Sequence, residues 1–249
     1  MNNKAKRKLH ASRLQALLAG AVLVTGMGLA ATPASATTIS GTVGGVPGGA
    51  DIYENFDSVP LGGNTYTTAN GVTVTFGNDG QAVKDAAGGL YAAPFLSGGN
   101  GLHFGSQGDG PDATTYLTSG STDANSGANV TLALVGPTRY MGLLWGSVDA
   151  YNTLTFYNGT AEVGHFTGAD VTAAANGDQG VNGTFYVNIN LSNSFTSVVA
   201  TSTKYAFEFD NVAFSAKPLG VPEPGTVGVF LLGLLLVGSA YRLKGRNRA

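Results

Sequence analysis

The strongest constraint on the fold is a run of alternating residue types at positions 184–191. Apolar and polar members alternate in the order Phe185, Tyr186, Val187, Asn188, Ile189, Asn190 and Leu191. Successive side chains of a β-strand point to opposite faces, so one face of this segment is apolar and the other is polar. Such a pattern is typical of a half-buried antiparallel strand, and it predicts a sheet with one face on a core.

Short apolar runs recur along the rest of the chain, which contains 38 glycines. They lie at 72–76, 130–135, 140–145, 154–157, 163–167, 197–201 and 205–214. Asn158 and Gly159 predict a hairpin turn between two of them. Only residues 168–175 favour a short helix, which Asn176 and Gly177 would end. We therefore predict an all-β protein, a single antiparallel β-sandwich with a jelly-roll-like arrangement.

The run at 205–214 changes parity in its middle. Its apolar residues form two pairs of opposite parity, Phe207 with Phe209 and Val212 with Phe214. A β-bulge inserts one extra residue into a strand. A bulge near Asp210 and Asn211 would therefore return both pairs to the core.

Residues 1–36 have the order expected of an export signal. Five basic residues come first, an apolar run follows at 14–31, and Ala34 and Ala36 then precede Thr37. Signal peptidase requires this order of basic region, apolar core and small residues. We predict a signal peptide over 1–36 that is cleaved before Thr37, and the alternative is an uncleaved anchor.

Residues 219–249 contain three ordered parts. Val221, Pro222, Glu223 and Pro224 come first, an uncharged apolar stretch follows at 225–241, and four basic residues come last. About 17 residues is the short limit for a spanning helix, and a basic cluster stays on the cytoplasmic side. We predict a transmembrane helix over 225–241 and an exported domain over 37–218. The alternative is an ordinary C-terminal anchor.

This ordered tail resembles the PEP-CTERM sorting signal of Gram-negative bacteria, which is also catalogued as the C-terminal domain of ice-binding proteins. The resemblance implies that an exosortase, a membrane-embedded transpeptidase, recognises the Pro-Glu-Pro segment and removes the span. Pro222 and Pro224 fit this role because they cannot continue a helix and favour an extended segment. The resemblance also implies an inner-membrane intermediate that is then displayed on the cell surface or released.

The exported domain is acidic and lacks cysteine. Residues 37–218 contain 4 basic and 14 acidic residues, which gives a formal charge of −10. Nucleic acid is not expected as a partner, because phosphate contacts need clustered Lys or Arg. With Cys 0, disulfides and Cys-ligated zinc are excluded.

The exported domain resembles a group of exosortase-dependent surface proteins through residues 54–57, 142–152 and 207–212. The resemblance implies a location and a fold, and it transfers no activity. We expect a secreted or cell-surface protein with a structural or binding role in the outer envelope or exopolysaccharide matrix. The alternative is a carbohydrate-binding module with a defined glycan ligand, and a secreted hydrolase is the third hypothesis.

We do not expect an enzyme. His103 and His165 are the only histidines after the signal region, and no Gly-x-Ser-x-Gly segment or metal-spaced histidine pair is present. A glycosidase needs two carboxylates at a catalytic separation, and the sequence singles out no such pair.

Acidic residues near the first and last strands suggest a structural calcium. Many jelly-roll carbohydrate-binding modules hold calcium between these strands, and Glu54 or Asp57 opposite Asp210 resembles that arrangement. Calcium takes several oxygen ligands, which acidic side chains supply. In the alternative, Asp57 and Asp210 make turn or cap hydrogen bonds.

Two further segments contain candidate binding residues. The glycine-rich segment 105–112 carries Asp109 and Asp112 but matches no phosphate or EF-hand pattern, so we predict a mobile surface loop. Aromatic candidates for stacking on sugar rings are Tyr140, Trp145, Tyr151 and Tyr157. Trp145 shares parity with Met141 and Leu143, which predicts a core position. Tyr151 and Asn152 follow Asp149 in a predicted turn and are our candidate ligand-binding residues.

Overall fold

The computed structural model describes residues 36–105, 107–120 and 128–220. Most of the predicted signal peptide, the sorting motif from Val221 to Pro224 and the predicted span at 225–241 lie outside the described residues. Within the described ranges, no helix has the length and apolar character needed to cross a membrane.

Almost all of the regular secondary structure in the described part of the chain is β-strand. The strands are β1 (Thr38–Thr42), β2 (Ile52–Glu54), β3 (Tyr66–Thr67), β4 (Thr73–Gly77), β5 (Gln81–Val83), β6 (Phe95–Leu96), β7 (Gly110–Pro111), β8 (Tyr116–Ser119), β9 (Asn129–Gly146), β10 (Asn152–Asn158), β11 (Ala161–Thr167), β12 (Phe185–Ser202) and β13 (Phe207–Ser215). One α-helical turn, α1 (Gly168–Val171), and one 3-10 turn, Val181–Gly183, lie between β11 and β12.

The helix predicted at 168–175 is therefore only one turn long. Its start is fixed by Thr167, whose backbone N–H and side-chain hydroxyl lie 2.7 Å and 2.9 Å from the Asp170 carboxylate. Its end is fixed by Thr172, which is already extended. The Asn158 hairpin prediction is confirmed, because β10 and β11 pair across a turn that begins at Gly159.

Apart from the separate β6–β7 pair, the strands form one hydrogen-bonded sheet that folds into two layers sharing β9 and β12, and each pairing among the described strands is antiparallel. The first layer has the order β3-β4-β9-β12-β10-β11 and uses residues 129–133 of β9 and 197–201 of β12. The second has the order β1-β12-β9-β13, with β2 and β8 on the far edge of β13 and β5 beyond β8. This architecture agrees with the predicted all-β antiparallel sandwich.

The sequence predicted separate strands where the structure has two long ones. The runs at 130–135 and 140–145 belong to β9, and the runs at 184–191 and 197–201 belong to β12. The pairing register between β9 and β12 shifts twice, between Asn190 and Phe195 and between Phe195 and Ser197. Both strands therefore pass through the irregular region together instead of ending there.

The main core fills the space between the two layers. It contains Val74, Leu132, Phe156 and Val198 from the first layer and Leu143, Trp145, Ile189 and Phe209 from the second. Trp145 is fully buried and stacks on Phe207, with 4.4 Å between ring centroids. The predicted core position of Trp145 is confirmed.

The predicted bulge in the last strand is also confirmed. The register between β13 and β9 shifts between Asp210 and Ala213. Phe207, Phe209, Val212 and Phe214 all belong to the main core as a result. Because Phe209 and Val212 both face that core, Asp210 and Asn211 between them lie on the opposite side of β13.

The outer face of the second layer is covered by residues 84–105 and 107–115, which we call the cover segment. Leu96 and Phe104 of this segment pack with Tyr140, Leu144 and Tyr186 in a second core. The segment 184–191, predicted to be half-buried, is instead covered on both faces, with Tyr186 at 0% and Asn190 at 4% exposure on the polar side. The surface-loop prediction for 105–112 is wrong at Asp112, which is only 2% exposed.

Candidate functional site

A cavity of about 260 Å³ lies between the cover segment, the turn between β9 and β10, and residues 176–179. Its side chains include three tyrosines and several polar groups, namely Tyr91, Tyr151, Tyr205, Ser147, Asp149, Asn176, Gln179 and Glu208. Pockets for small molecules typically measure about 300–1,000 Å³. The cavity therefore suits a small ligand or one unit of a polymer.

Tyr151, a residue that the sequence singled out, lines this cavity. Its hydroxyl lies 2.6 Å from Asp149 Oδ2 and 2.6 Å from the backbone oxygen of Tyr205. The ammonium of Lys204 lies 5.1 Å from the centre of the Tyr151 ring. Burial, followed by the bond to Asp149, raises the pKa of Tyr151, so the phenol is neutral and donates its proton. These contacts fix the ring in one orientation before any ligand arrives.

Asn152, the second predicted ligand residue, does not line the cavity. The side chain is fully buried, its Nδ2 donates to the backbone oxygen of Ala206 at 2.9 Å, and its Oδ1 accepts from Ser202 Oγ at 2.7 Å. Both amide atoms are therefore used inside the protein. Asn152 positions the segment that carries Tyr205 and has no direct contact to offer a ligand.

Two carboxyl groups, Glu208 and Asp149, form part of the cavity lining. Glu208 accepts hydrogen bonds from Ser147 Oγ at 2.6 Å and from the Ala92 N–H at 2.8 Å. Burial raises the pKa of Glu208 to about 7, although both hydrogen bonds act in the opposite direction. Burial also raises the pKa of Asp149, while the Tyr151 bond and the Lys204 charge lower it. The sequence did not indicate Glu208, because its burial depends on the cover segment.

One wall of the cavity depends on a glycine. Gly177 has φ +72, and a Cβ at this position would lie 2.7 Å from Asp149 Oδ2. The Gly177 N–H donates to the Val148 backbone oxygen at 3.1 Å. A side chain does not fit here, both because of the left-handed backbone and because of the carboxylate. The sequence marked Gly177 only as the end of a helix, so its role beside Asp149 was missed.

The predicted calcium ligands are not brought together as one set. In the described part of the chain, no group of three or more His, Asp or Glu side chains is arranged to hold a metal. Glu54 accepts instead from the Phe56 N–H and from Asn70 Nδ2, at 3.2 Å and 3.0 Å.

Asp57 and Asp210 have different surroundings. Asp57 is exposed and accepts from Asn55 Nδ2 at 2.6 Å and from the Thr115 N–H at 3.3 Å, contacts typical of the turn alternative. Asp210 is fully buried, and burial followed by the neighbouring Asp112 charge raises its pKa well above the usual value.

No protein-family model matches the chain, and no curated protein sequence matches it either. Among solved structures, the chain is similar to the K2 cleaved adhesin domain of Lys-gingipain, with a TM-score of 0.38 and 14% sequence identity. The match covers 66% of this chain and 97% of that domain. The function is therefore inferred from the residues of this chain.

Proposed function

We propose that the chain is an exosortase-processed secreted or cell-surface protein whose jelly-roll-like sandwich binds a glycan of the outer envelope or exopolysaccharide matrix. The observation that carries the binding role is the Tyr151 cavity, which combines aromatic rings with hydroxyl, amide and carboxylate groups. Sugars offer apolar faces and many hydroxyl groups. Aromatic rings can pack against those faces, and a few placed polar groups fix the orientation of a ligand.

The cavity is well suited to binding because its central tyrosine is already held in place. Asp149 and the Tyr205 backbone orient the Tyr151 hydroxyl, and Lys204 lies over the ring. A ligand therefore does not have to order this side chain. Such preorganisation reduces the entropic cost of binding.

The charge of the domain favours a neutral glycan. Residues 37–218 have a formal charge of −10, and two of the acidic residues in that count, Asp149 and Glu208, line the cavity itself. Anionic sugars would be repelled at short range. We therefore expect neutral hexose or hexosamine units to bind and uronate-rich polymers to bind weakly.

The hydrogen bonds of Glu208 support a binding role over hydrolysis. Both oxygens of Glu208 already accept hydrogen bonds, from Ser147 and from Ala92. Glu208 is also only 2% exposed. A general acid must reach the oxygen that it protonates. A side chain held in this way has little freedom to do so, and we expect no turnover of glycan substrates.

A glycan array followed by calorimetry on the full chain tests the binding proposal. We expect Tyr151→Ala to abolish binding, whereas Tyr157→Ala on β10 leaves it unchanged. A milder test variant is Gln179→Ala, which removes an exposed amide of the cavity. Its control is Asn182→Ala, which removes an exposed amide outside the cavity. Equal affinity in Tyr151→Ala and wild type, or no glycan bound by wild type, would contradict the proposal.

The sorting route is proposed from the sequence of the two ends. Signal peptidase would act before Thr37, and the exosortase would act at the Pro-Glu-Pro segment while residues 225–241 hold the chain in the inner membrane. Two features support this arrangement: β1 begins at Thr38, and Leu219 still hydrogen-bonds to Asn190. Both processing sites are therefore adjacent to folded segments without interrupting a described strand.

Intact mass and location in hosts with and without the exosortase test the sorting proposal. We expect a product that begins at Thr37, ends near Pro224 and leaves the cell only when the exosortase is present. A product that keeps its last residues in the membrane of both strains would instead indicate an ordinary anchor.

A further inference from the structure

Two acidic side chains, Glu208 and Asp210, lie on the same outer face of β13 under the cover segment. They are 2% and 0% exposed. Both oxygens of Glu208 accept hydrogen bonds from protein donors. Neither oxygen of Asp210 has a hydrogen-bond partner among the described residues. β13 therefore contains one buried carboxylate whose oxygens accept hydrogen bonds, Glu208, and one whose oxygens have no described partner, Asp210.

Near Asp210, the backbone N–H of Asn211 favours the ionised carboxylate, but no described positive charge lies beside it. Asp112 approaches Asp210 within hydrogen-bonding reach, but two ionised carboxylates only accept. Asp112 Oδ1 accepts from Thr114, while its Oδ2 has no partner in the described ranges. Asn211 is also fully buried, and neither atom of its side-chain amide has a described partner.

The bulge explains why these groups share one side of the sheet. Phe209 and Val212 both enter the main core, so Asp210 and Asn211 both lie on the outer side. Asn211 has φ 49, a left-handed conformation that is uncommon for residues other than glycine. Asp112 reaches the same place from the cover segment, where its N–H donates to the Pro94 backbone oxygen at 2.8 Å.

We propose that Asp112, Asp210 and Asn211 hold a calcium ion between β13 and the cover segment. An unpaired buried carboxylate is costly, and two facing each other repel unless a cation or a proton lies between them. Five side-chain atoms of these three residues lack described partners, and three of the five are carboxylate oxygens. A divalent cation would neutralise both carboxylates and use the amide oxygen as a further ligand.

The ligand chemistry favours calcium over other metals. The chain has no cysteine, and the three side chains offer oxygen ligands only. Calcium accepts carboxylate, amide, backbone and water oxygens in a flexible geometry, whereas zinc prefers nitrogen and sulfur ligands. Two carboxylates and one amide leave coordination positions for backbone oxygens and water. The competing explanation is a single proton shared by Asp112 and Asp210.

Thermal unfolding of the full chain with calcium or with a chelator separates these explanations. We expect calcium at about 100 times its Kd to raise the Tm by about 5–10 °C over the chelated sample. Calorimetry should give one ion per chain. Asp210→Asn and Asp112→Asn should lose the calcium-dependent shift, and Asp109→Asn, an exposed change in the same segment, should keep it.

A second measurement needs only the wild-type chain, so it remains informative if the variants fail to fold. Terbium bound to the wild-type chain should show luminescence sensitised by Tyr186, whose hydroxyl donates to the Asn211 backbone oxygen at 3.2 Å. Calcium should displace terbium with a stoichiometry of one. An identical Tm in calcium and chelator, with no heat of binding and no terbium emission, would overturn the proposal in favour of the shared proton.

Discussion

Asn190 and Leu219 are joined by two hydrogen bonds that fix the end of the described fold to β12. Asn190 Oδ1 accepts from the Leu219 N–H at 2.7 Å, and Asn190 Nδ2 donates to the Leu219 backbone oxygen at 2.9 Å. The same Nδ2 lies 3.4 Å from Thr38 Oγ1 at the start of β1. One side chain thus contacts both the first strand and the segment that precedes the predicted sorting motif.

Replacing Asn190 with alanine should release the segment around Leu219. Its N–H and backbone oxygen would lose their partners in a half-buried place, and we expect the free energy of unfolding to fall by about 1–3 kcal/mol. Hydrogen exchange should show faster exchange at the Leu219 amide. The matched control is Asn193→Ala, because Asn193 lies exposed on the same strand. Unchanged exchange at Leu219 would show that other contacts hold this segment.

Replacing Gly177 with alanine should distort the cavity wall. The new Cβ would meet the Asp149 carboxylate at 2.7 Å, and the left-handed backbone adds strain. We expect a loss of about 1–3 kcal/mol in stability and weaker glycan binding. Gly49→Ala is the control, since Gly49 has open space and no positive φ. Equal affinity in Gly177→Ala and wild type would argue against the cavity as the binding site.

Replacing Asn152 with alanine should lower stability and binding together. The change removes the donor to the Ala206 backbone oxygen and one of the Ser202 hydroxyl's contacts, which leaves that hydroxyl bonded only to the Lys204 backbone. We expect a cost of about 1–3 kcal/mol. A double-mutant cycle with Ser202→Ala should give a coupling energy of about 0.5–3 kcal/mol. Glycan affinity should fall because Tyr205, which lines the cavity, would shift together with its neighbour Ala206. A variant with reduced stability but wild-type affinity would remove Asn152 from the support of the site.

Asp51 should make the fold sensitive to acid. The hydrogen bonds from Ser215 and from the Ala216 N–H lower the pKa of Asp51 below its ordinary 3.8. Its contribution is therefore present above pH 3.8 and is lost as the pH falls through the lower pKa of the folded protein. We expect Asp51→Asn to unfold more readily than wild type at pH 5–7.

Urea unfolding at several pH values measures this difference. The two proteins should become equally stable in strong acid, and the effect should be small because Asp51 is exposed. Asp109→Asn controls for the loss of one exposed negative charge. A constant difference between Asp51→Asn and wild type across the pH range would mean that ionisation of Asp51 does not matter.

Local alternation was enough to predict several features of the fold. The parity of Trp145 with its neighbours placed it in the core, and the parity change after Phe209 located the bulge. Both inferences use residues close together in one strand, where side-chain direction follows directly from backbone geometry. Neither requires knowledge of which strands pair.

The environments of Asp112, Glu208 and Asn152 could not be predicted in the same way. Their burial depends on the cover segment and on the turn after β9, which contact residues far away in sequence. Asn152, for example, bonds to Ser202 and Ala206, about 50 positions later. A glycine-rich segment with no alternation gives no local indication that it folds back over a sheet, so Asp112 was assigned to the surface.

The sharing of β9 and β12 between the layers has a mechanical consequence. Layers joined only by loops could slide past each other under tension, but here two continuous strands run through both. β1 pairs with β12, and Leu219 is tied to Asn190 of the same strand. Load at the first end of the described fold therefore passes through β1 to β12, and load at Leu219 reaches β12 through Asn190. The backbone ladder between β12 and β9 then resists it in shear.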